Sequence, residues 1–328
     1  MTDHLDHRFC VAPMMDWTDR HCRFFHRLLA PRALLFTEMV TTGAILHGDV
    51  DRLLEKDPRE GAVVLQLGGS DPDDLSRAVR VAEAYDYAGY DLNCGCPSSR
   101  VQRGRFGACL MAEPERVRDG LQALAAATAR PISVKCRIGI DDSAEYAFLE
   151  RFVATTAEAG VRTFVIHARK AWLKGLSPKA NRSVPPLRYD VVRRLRAARP
   201  DLHIVLNGGL REPSQVAAAR TWADGVMVGR EAYENPSRLP ALEAAALGRT
   251  PLPLDLHAVI AALADRIDEL CSRGVPPAAT LRHVLGLFNG RPGARLFRQH
   301  LSATMHNPNV RAATLLDAAA AVIQRAAA

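Results

Sequence analysis

The residues best suited to chemistry are concentrated in residues 91–107, which read DLNCGCPSSRVQRGRFG. Asn93 closes a hydrophobic segment, Cys94 and Cys96 flank a glycine, and Pro97 turns the chain into a loop with three arginines. A thiol at the end of a strand, beside a cationic loop, can serve as an acid or a nucleophile toward an anionic substrate. The same pattern also fits two structural cysteines beside a solvated loop, because free cysteine is among the most buried residue types.

Eight short apolar segments, each followed by a stretch with apolar residues at helical spacing, predict the elements that position this loop. The predicted strands cover residues 9–13, 34–40, 62–68, 87–93, 132–139, 163–169, 203–209 and 225–230. Hydrophobic strands that alternate with helices indicate a parallel sheet covered on both faces. Eight such units in roughly 240 residues predict an α/β fold of the (β/α)8 TIM-barrel type, whose usual size is ~250 residues. A doubly wound open sheet is the alternative, but no GxGxxG follows the first strand.

Polar or conformationally special residues collect where these strands end, and in a barrel all of them open onto one face. They are Pro13, Met14, Met15, Glu38, Gln66, Asn93, Lys135, Arg137, His167, Arg169, Asn207, Gly208, Gly209, Gly229 and Arg230. A single polar residue at a strand end is ordinary, and a lone histidine is more often structural. Eight strands that all end in such residues are hard to explain by packing and therefore predict a binding face.

The last two strands predict a phosphate site. Barrels bind phosphate with the loops after strands seven and eight, where glycines let backbone N–H groups approach. Asn207, Gly208 and Gly209 end strand seven, and Gly229 is followed by Arg230 at the end of strand eight. A glutamine such as Gln66 can both donate to and accept from an amide-like ring edge, and a lysine such as Lys135 can stabilise negative charge on a reduced ring. The combination favours flavin mononucleotide (FMN) over a sugar phosphate.

Composition limits the class of protein. The chain has 328 residues, of which 48% are hydrophobic and 24% charged, as in ordinary globular proteins. Seven cysteines without a CxxC pair argue against a disulfide framework and against a structural zinc site, so no metal is expected. No signal peptide and no apolar stretch near the ~20 residues of a membrane span is visible. These features predict a protein of the reducing cytoplasm, with a monomer as the default.

The sequence changes character after residue 245. A proline-rich segment at 250–257 precedes four predicted helices at 258–272, 278–288, 294–305 and 312–326. We therefore predict a catalytic barrel in residues 1–245 and a helical domain in residues 246–328. From residue 247 to the end, nine arginines and no lysine face five acidic residues, so this part contributes +4 of the net charge of +7.

The charge excess suits phosphate contacts, because the planar fork of arginine binds phosphate well. A genome that encodes arginine in place of lysine throughout explains the same composition. Arg295 and Arg298 lie one turn apart on one helix face. From composition and spacing alone, these two arginines fit a solvated surface as well as an RNA contact.

Long ordered motifs make the chain resemble the tRNA-dihydrouridine synthases, and most closely their A-type subfamily. The motifs are VAPMMDWTDRHCRFF (11–25), TEMVTTGAI (37–45), QLGGSDP (66–72), DLNCGCPS (91–98), RFGACLM (105–111), VKCRIGIDD (134–142), IHARKAWLKGLSPKANR (166–182), LNGG (206–209) and DGVMVGREAYENP (224–236). They are distributed over nearly the whole chain. The resemblance implies a flavin-bearing barrel and a C-terminal helical domain that binds tRNA.

The resemblance also assigns roles to individual residues. It implies flavin contacts from Pro13, Met14, Met15, Gln66, Lys135 and His167, and phosphate contacts from Asn207, Gly208, Gly209, Gly229 and Arg230. Cys96 matches the proton donor of the family, whereas Cys94 receives no role. Asn93 is expected near the target base. The A-type pattern further marks Lys179, Arg182, Arg295 and Arg298 as residues that orient tRNA.

The implied reaction is the reduction of uridine to 5,6-dihydrouridine, with NADPH as the source of electrons and positions 20 and 20a of the D loop as targets. Hydride from reduced FMN goes to carbon 6 of uracil, and carbon 5 then takes a proton from the opposite face. A thiol with the ordinary pKa near ~8.5 is protonated at neutral pH and can donate that proton. A flavin barrel acting on a free pyrimidine would leave the arginine-rich tail unexplained, and a tRNA-binding protein without activity would leave Cys96 unexplained.

Overall fold

The protein is described here by a computed structural model that covers residues 5–307 and 312–327. Eight parallel strands form a closed barrel in sequence order, and β1 pairs with β8 to close it. The strands are β1 (Phe9–Val11), β2 (Leu34–Thr41), β3 (Val63–Gly68), β4 (Gly89–Cys94), β5 (Ile132–Arg137), β6 (Thr163–His167), β7 (His203–Asn207) and β8 (Gly225–Val228). The predicted barrel and its eight strands are confirmed.

Helices follow the strands, and the last four of them form the C-terminal region. They are α1 (Arg20–Leu29), α2 (Thr42–His47), α3 (Val50–Leu54), α4 (Pro72–Ala82), α5 (Ser99–Arg103), α6 (Pro114–Ala127), α7 (Glu145–Ala157), α8 (Tyr189–Ala198), α9 (Pro213–Arg220), α10 (Arg230–Glu234), α11 (Leu239–Leu247), α12 (Leu256–Ser272), α13 (Ala278–Val284), α14 (Ala294–Thr304) and α15 (Ala312–Ala327). The start of α4 shows the local cause: Asp71 accepts hydrogen bonds from the Asp73 and Asp74 amides, and Pro72 supplies the first helical residue.

The interior of the barrel is apolar at one level and polar at the next. Its apolar cluster consists of Cys10, Ala12, Leu34, Phe36, Val64, Val165, Val205 and Met227. Because side chains in a strand alternate between faces, residues two positions further along also point inward. These are Gln66 after Val64, His167 after Val165, Asn207 after Val205 and Gly229 after Met227. The polar level therefore lies at the carboxyl ends of the strands, where barrel enzymes have their active sites.

The C-terminal helices α12–α15 confirm the predicted helical region. Ion pairs join this region to the barrel: Arg266 of α12 contacts Asp57 at 2.7 Å with both side chains buried, and Arg282 of α13 pairs with Asp19. The helix α11 ends at Leu247, two residues past the predicted domain boundary at 245, and the division into two domains stays a prediction. In the described part of the chain, no helix has the length and apolar character that crossing a membrane requires.

Candidate active site

The loop that carries Cys96 is held by its own strand. Asn93, near the end of β4, accepts hydrogen bonds through Oδ1 from the backbone N–H groups of Gly95 (3.1 Å) and Cys96 (3.0 Å). The carbonyl of Cys96 accepts a further bond from the Ala108 amide at 2.9 Å. The Cys96 side chain is half-buried, whereas Cys94 is fully buried and burial raises its pKa well above the usual thiol value. Of the two thiols, only that of Cys96 is accessible for chemistry.

A chain of hydrogen bonds crosses the polar level from β5 to β3. Ser133 Oγ donates to Asp91 Oδ1 at 2.7 Å, and Gln66 Nε2 donates to Asp91 Oδ2 at 2.7 Å. Asn93 Nδ2 in turn donates to Gln66 Oε1 at 2.8 Å. Gln66 keeps one N–H and one lone pair of Oε1 for a ligand, so its pairing in both directions with a ring edge stays a prediction.

Lys135, Asn207 and His167 face the same interior from β5, β7 and β6. Lys135 Nζ donates to Asn207 Oδ1 at 3.1 Å, and Asn207 Nδ2 donates to the Met227 carbonyl at 2.8 Å. Burial lowers the pKa of Lys135, and the negative charge of Asp91 opposes that shift. Burial, together with the positive charges of Arg137 and Lys135, lowers the pKa of His167 well below its ordinary value, so this ring is neutral at physiological pH.

The loop after β7 adopts a backbone that requires glycine. Gly208 has φ +117° and Gly209 has φ +70°, which L side chains rarely adopt. A Cβ on Gly208 would lie 2.8 Å from His167 Cδ2, and one on Gly209 would lie 2.4 Å from Leu187 Cδ1. The two glycines therefore keep the end of β7 open to a close backbone approach.

Four arginines beside these glycines form no ion pair with an acidic residue in the described part of the chain. Within the described residues, no carboxylate lies within 4.0 Å of them, whereas several arginines on the outer helices are paired, such as Arg151 with Glu115. The group, which we call the mouth arginines, consists of Arg169, Arg182, Arg211 and Arg230. Burial and the charge of Arg230 lower the pKa of both Arg169 and Arg182.

Two of the mouth arginines are held by main-chain carbonyls. Arg230 Nη2 donates to the carbonyl of Arg182 at 3.0 Å. Arg169 Nη1 donates to the carbonyls of Ser183 and Pro185, while its Nε is buried without a partner. A positive cluster with a spare buried donor fits an anion such as phosphate.

The Cys96 loop is also tied to the segment of residues 170–182. Arg137, at the end of β5, donates from Nε to the Gly95 carbonyl at 2.8 Å and from Nη1 to the Lys170 carbonyl at 2.8 Å. Gln102 Nε2 donates both to the Pro97 carbonyl at 2.9 Å and to the Leu173 carbonyl at 2.8 Å. Two side chains thus fix these loops to each other.

The predicted residues after β1 line the rim of the barrel. Met14 packs against the apolar interior cluster, and its amide donates to Thr18 Oγ1 at 2.9 Å. Pro13 is half-buried, and Met15 keeps 55% of its surface exposed. A Cβ on Gly229 would lie 3.9 Å from Met14 Sδ, so the ends of β1 and β8 adjoin each other.

The four predicted tRNA residues divide into two places. Lys179 and Arg182 are exposed on the segment that Arg137 and Gln102 tie to the Cys96 loop. Arg295 is exposed on α14, and Arg298 donates to Asn289 Oδ1. Asn289 in turn donates through Nδ2 to the carbonyl of Glu234 in α10, the helix that begins with Arg230, so Arg298 is connected to the barrel mouth through Asn289.

Sequence reasoning did not assign Asp91, Ser133 or Arg211 to the site, and it noted Arg137 and Arg169 only as strand-end residues. Alternation along β4 was a usable signal for Asp91, because this residue lies two positions before Asn93 and so shares its inward face. Arg211 lies in a loop, where periodicity gives no such signal. Within residues 5–307 and 312–327, no group of three or more potential metal ligands lies close enough together to hold a metal ion.

Comparison with known proteins identifies the family of the chain. Residues 10–325 match the family model described as dihydrouridine synthase (Dus). A protein of Xanthomonas axonopodis pv. citri named tRNA-dihydrouridine(20/20a) synthase is 52% identical over 92% of this chain and 90% of its own length. Proteins of the same name from Yersinia pestis and Pseudomonas syringae pv. tomato are 49% and 48% identical over 96% and 98% of this chain, and 91% and 95% of their own lengths. The chain belongs to the dihydrouridine synthase family.

Proposed function

We propose that this protein reduces uridine to 5,6-dihydrouridine in tRNA, at positions 20 and 20a of the D loop, with FMN as cofactor and NADPH as reductant. The observation that carries the proposal is that one barrel mouth combines the accessible thiol of Cys96, held by Asn93, with the mouth arginines, which form no ion pair among the described residues. The names of relatives that are 48–52% identical over nearly the full chain support the substrate and the two positions. We further propose that the protein acts on tRNA as a cytoplasmic monomer, without a protein partner.

The residues present fit a phosphate-bearing cofactor. The phosphate would lie at Asn207, Gly208, Gly209, Gly229 and Arg230, where positive φ angles open the backbone and the buried Nε of Arg169 lacks a partner. The ring would lie against Pro13, Met14 and Met15 and face Gln66, Lys135 and His167. Reduced flavin bound there would supply the hydride for carbon 6 of uracil.

The chain's own groups would manage charge and protons around that step. Lys135 lies where an ammonium group can stabilise negative charge on the ring, and neutral His167 can donate a hydrogen bond without adding charge. Cys96 would deliver the proton to carbon 5 of the base. Arg137, Arg182 and Lys135 are the cations whose charges lie within electrostatic range of the Cys96 sulfur.

The RNA must present its uracil outside the folded helix. Flipping a stacked base out costs a few kcal/mol, about 2–4. Phosphate contacts from Lys179, Arg182, Arg295 and Arg298 would supply that energy, and Asn93 would contact the flipped base. With only three tryptophans in the chain, a platform of stacked aromatic rings is a poor model for binding. Recognition of the folded shape of tRNA fits better.

The test is a reaction with purified protein, NADPH and tRNA that lacks modifications. Dihydrouridine is mapped by mass spectrometry of nuclease fragments, with free uracil and orotate as alternative substrates in parallel. We expect product at positions 20 and 20a and no turnover of the free pyrimidines. Reduction of a free pyrimidine with no product in tRNA would overturn the proposal in favour of a small-molecule dehydrogenase.

A further inference from the structure

One ionisable group in the barrel interior has no part in the reaction described above. Asp91 has no solvent-exposed surface, and burial raises its pKa while its hydrogen bonds from Gln66 and Ser133 and the charge of Lys135 act in the opposite direction. A buried carboxylate is costly for a fold, because desolvation disfavours its charged form. Leucine would fill a similar volume without that cost, but it could not accept a hydrogen bond. The position therefore calls for a specific function.

Strand register places Asp91 between two partners at one level of the barrel. It is opposite Gln66 on β3 and opposite Ser133 on β5. All three side chains are buried, with at most 3% of their surface exposed. The hydrogen bonds to Asp91 are both 2.7 Å long, so the carboxylate is the central acceptor of this level.

The backbone amides of Gly95 and Cys96 determine which group donates and which accepts in every hydrogen bond from Asn93 to Asp91. The amides of Gly95 and Cys96 can only donate, so Asn93 must turn its oxygen toward them and its NH₂ toward Gln66. Gln66 must then present its oxygen to Asn93 and its NH₂ to the next residue. At the end of the chain only a group that accepts a hydrogen bond is compatible, and Asp91 Oδ2 is that group.

We propose that Asp91 is a positioning residue that sets the orientation of the Gln66 and Asn93 amides and thereby holds the Cys96 loop in place. This inference rests on the proposed role of Cys96 as proton donor. Without an acceptor at position 91, Gln66 loses the partner of its NH₂ group and can rotate. Asn93 then loses its fixed partner, and the amides of Gly95 and Cys96 are held less firmly.

Asp91 can still accept the hydrogen bond from Gln66 when its carboxyl group is protonated. A proton on Oδ1 faces Ser133, whose hydroxyl can accept as well as donate, while Oδ2 continues to accept from Gln66. Asparagine at position 91 can do the same, with its NH₂ toward Ser133. The donor and acceptor roles in this series of hydrogen bonds therefore depend on an acceptor at position 91 and not on its charge. A variant without the charge can thus distinguish the positioning role from an electrostatic effect on Lys135.

The test compares Asp91→Leu with Asp91→Asn as flavin-loaded full-length proteins. Alkylation of Cys96 by iodoacetamide is followed by peptide mass spectrometry, with half-buried Cys271 of α12 as an internal reference thiol. In Asp91→Leu we expect the Cys96 alkylation rate to change at least about threefold and kcat for tRNA to fall about tenfold or more, with KM nearly unchanged. In Asp91→Asn we expect both properties to stay close to those of the wild type, and the Cys271 rate to be the same in all proteins.

Two results would overturn the inference. One is an unchanged Cys96 alkylation rate in folded Asp91→Leu, and the other is equal damage in Asp91→Asn and Asp91→Leu, which would assign the effect to charge. If Asp91→Leu does not fold, Asp91→Ser takes its place. The serine side chain is too short to accept a hydrogen bond from Gln66, and it adds no apolar bulk. The alkylation readout needs no tRNA, so a wild-type protein without tRNA activity would reject the proposed function and leave this positioning test intact.

Discussion

At the scale of single residues, Gly209 meets two constraints at once. Its φ of +70° lies in the left-handed region, and its missing Cβ leaves room for Leu187. Gly248, at the end of α11, has φ +64° but no atom within 4 Å of where a Cβ would lie. Substitutions at these two positions therefore share the cost of a left-handed backbone, but only the one at Gly209 changes the candidate phosphate site.

Replacing each of these glycines with alanine gives a matched pair. Both variants should lose about 1–2 kcal/mol of unfolding free energy from left-handed strain, and Gly209→Ala should lose more because of the contact with Leu187. Only Gly209→Ala should reduce the flavin content of the purified protein, as measured by absorbance after heat release. Equal flavin content in the two variants would argue against a phosphate site at this loop.

The residue scale also shows where sequence reasoning stops. The types and strand-end positions of Gln66, Lys135 and His167 were readable from the sequence, because alternation and hydrophobic runs fix which residues point inward. The hydrogen bond from Asn93 to the Gln66 oxygen was not, because it depends on the register between β3 and β4. It was equally impossible to predict that Arg169 has no carboxylate partner in the described chain, because this depends on which residues the fold brings close to it from distant parts of the sequence.

At the scale of elements, the Cys96 loop and the segment of residues 170–182 behave as one unit. Arg137 contacts the carbonyls of Gly95, Lys170 and Asn181, the last at 3.0 Å. Lys179 and Arg182 lie on the same segment. If RNA binds this segment as proposed, one buried guanidinium group connects it to the loop that carries the thiol.

Arg137→Lys should uncouple these two loops, because lysine cannot reproduce the planar fork that reaches two loops at once. A shift of the Cys96 loop should lower kcat/KM for tRNA by up to about 100-fold, with flavin content retained. Arg162→Lys is the control, because Arg162 also donates to main-chain carbonyls but precedes β6 at the other end of the barrel. Steady-state kinetics on unmodified tRNA measures the effect, and equal losses in both variants would contradict the coupling.

Element boundaries were predicted well for a physical reason. Buried parallel strands are short apolar runs that end at polar or glycine residues, so β1–β8 were readable within a few residues. The helices α12–α15 were similarly bounded by glycine and proline residues such as Gly274, Pro276 and Gly293, although α13 ends at Val284 and not at the predicted residue 288. Contacts between helical region and barrel, such as Arg266 with Asp57, required the folded chain.

At the scale of the whole molecule, arginine has two roles that the structure distinguishes. Several arginines on the outer helices form ion pairs, as Arg151 does with Glu115 at 3.0 Å. The mouth arginines and Arg295 have no carboxylate within 4.0 Å in the described chain, although Arg298 is partly engaged by Asn289. An excess of positive charge without carboxylate partners would attract RNA at long range.

Replacing Arg295 and Arg298 together with alanine should weaken tRNA binding and leave flavin content unchanged. Loss of two phosphate contacts should reduce the slope of log K against log salt by about 1.4–1.8. Arg151→Ala removes an arginine that is already paired and should leave that slope unchanged. Binding titrations across a salt series measure both effects, and an unaltered slope in the double variant would return the α14 arginines to a solvated surface.

The most direct test of the whole account is a single-turnover reaction of Cys96→Ala, with Cys109→Ala as the control for loss of another half-buried thiol. Flavin-loaded, pre-reduced protein is mixed with unmodified tRNA, and dihydrouridine is quantified with time. We predict that Cys96→Ala binds flavin and is reduced by NADPH as the wild type is, yet forms product about 10²–10⁴-fold more slowly, while Cys109→Ala stays close to the wild type. Product formation by Cys96→Ala at the wild-type rate would contradict the account.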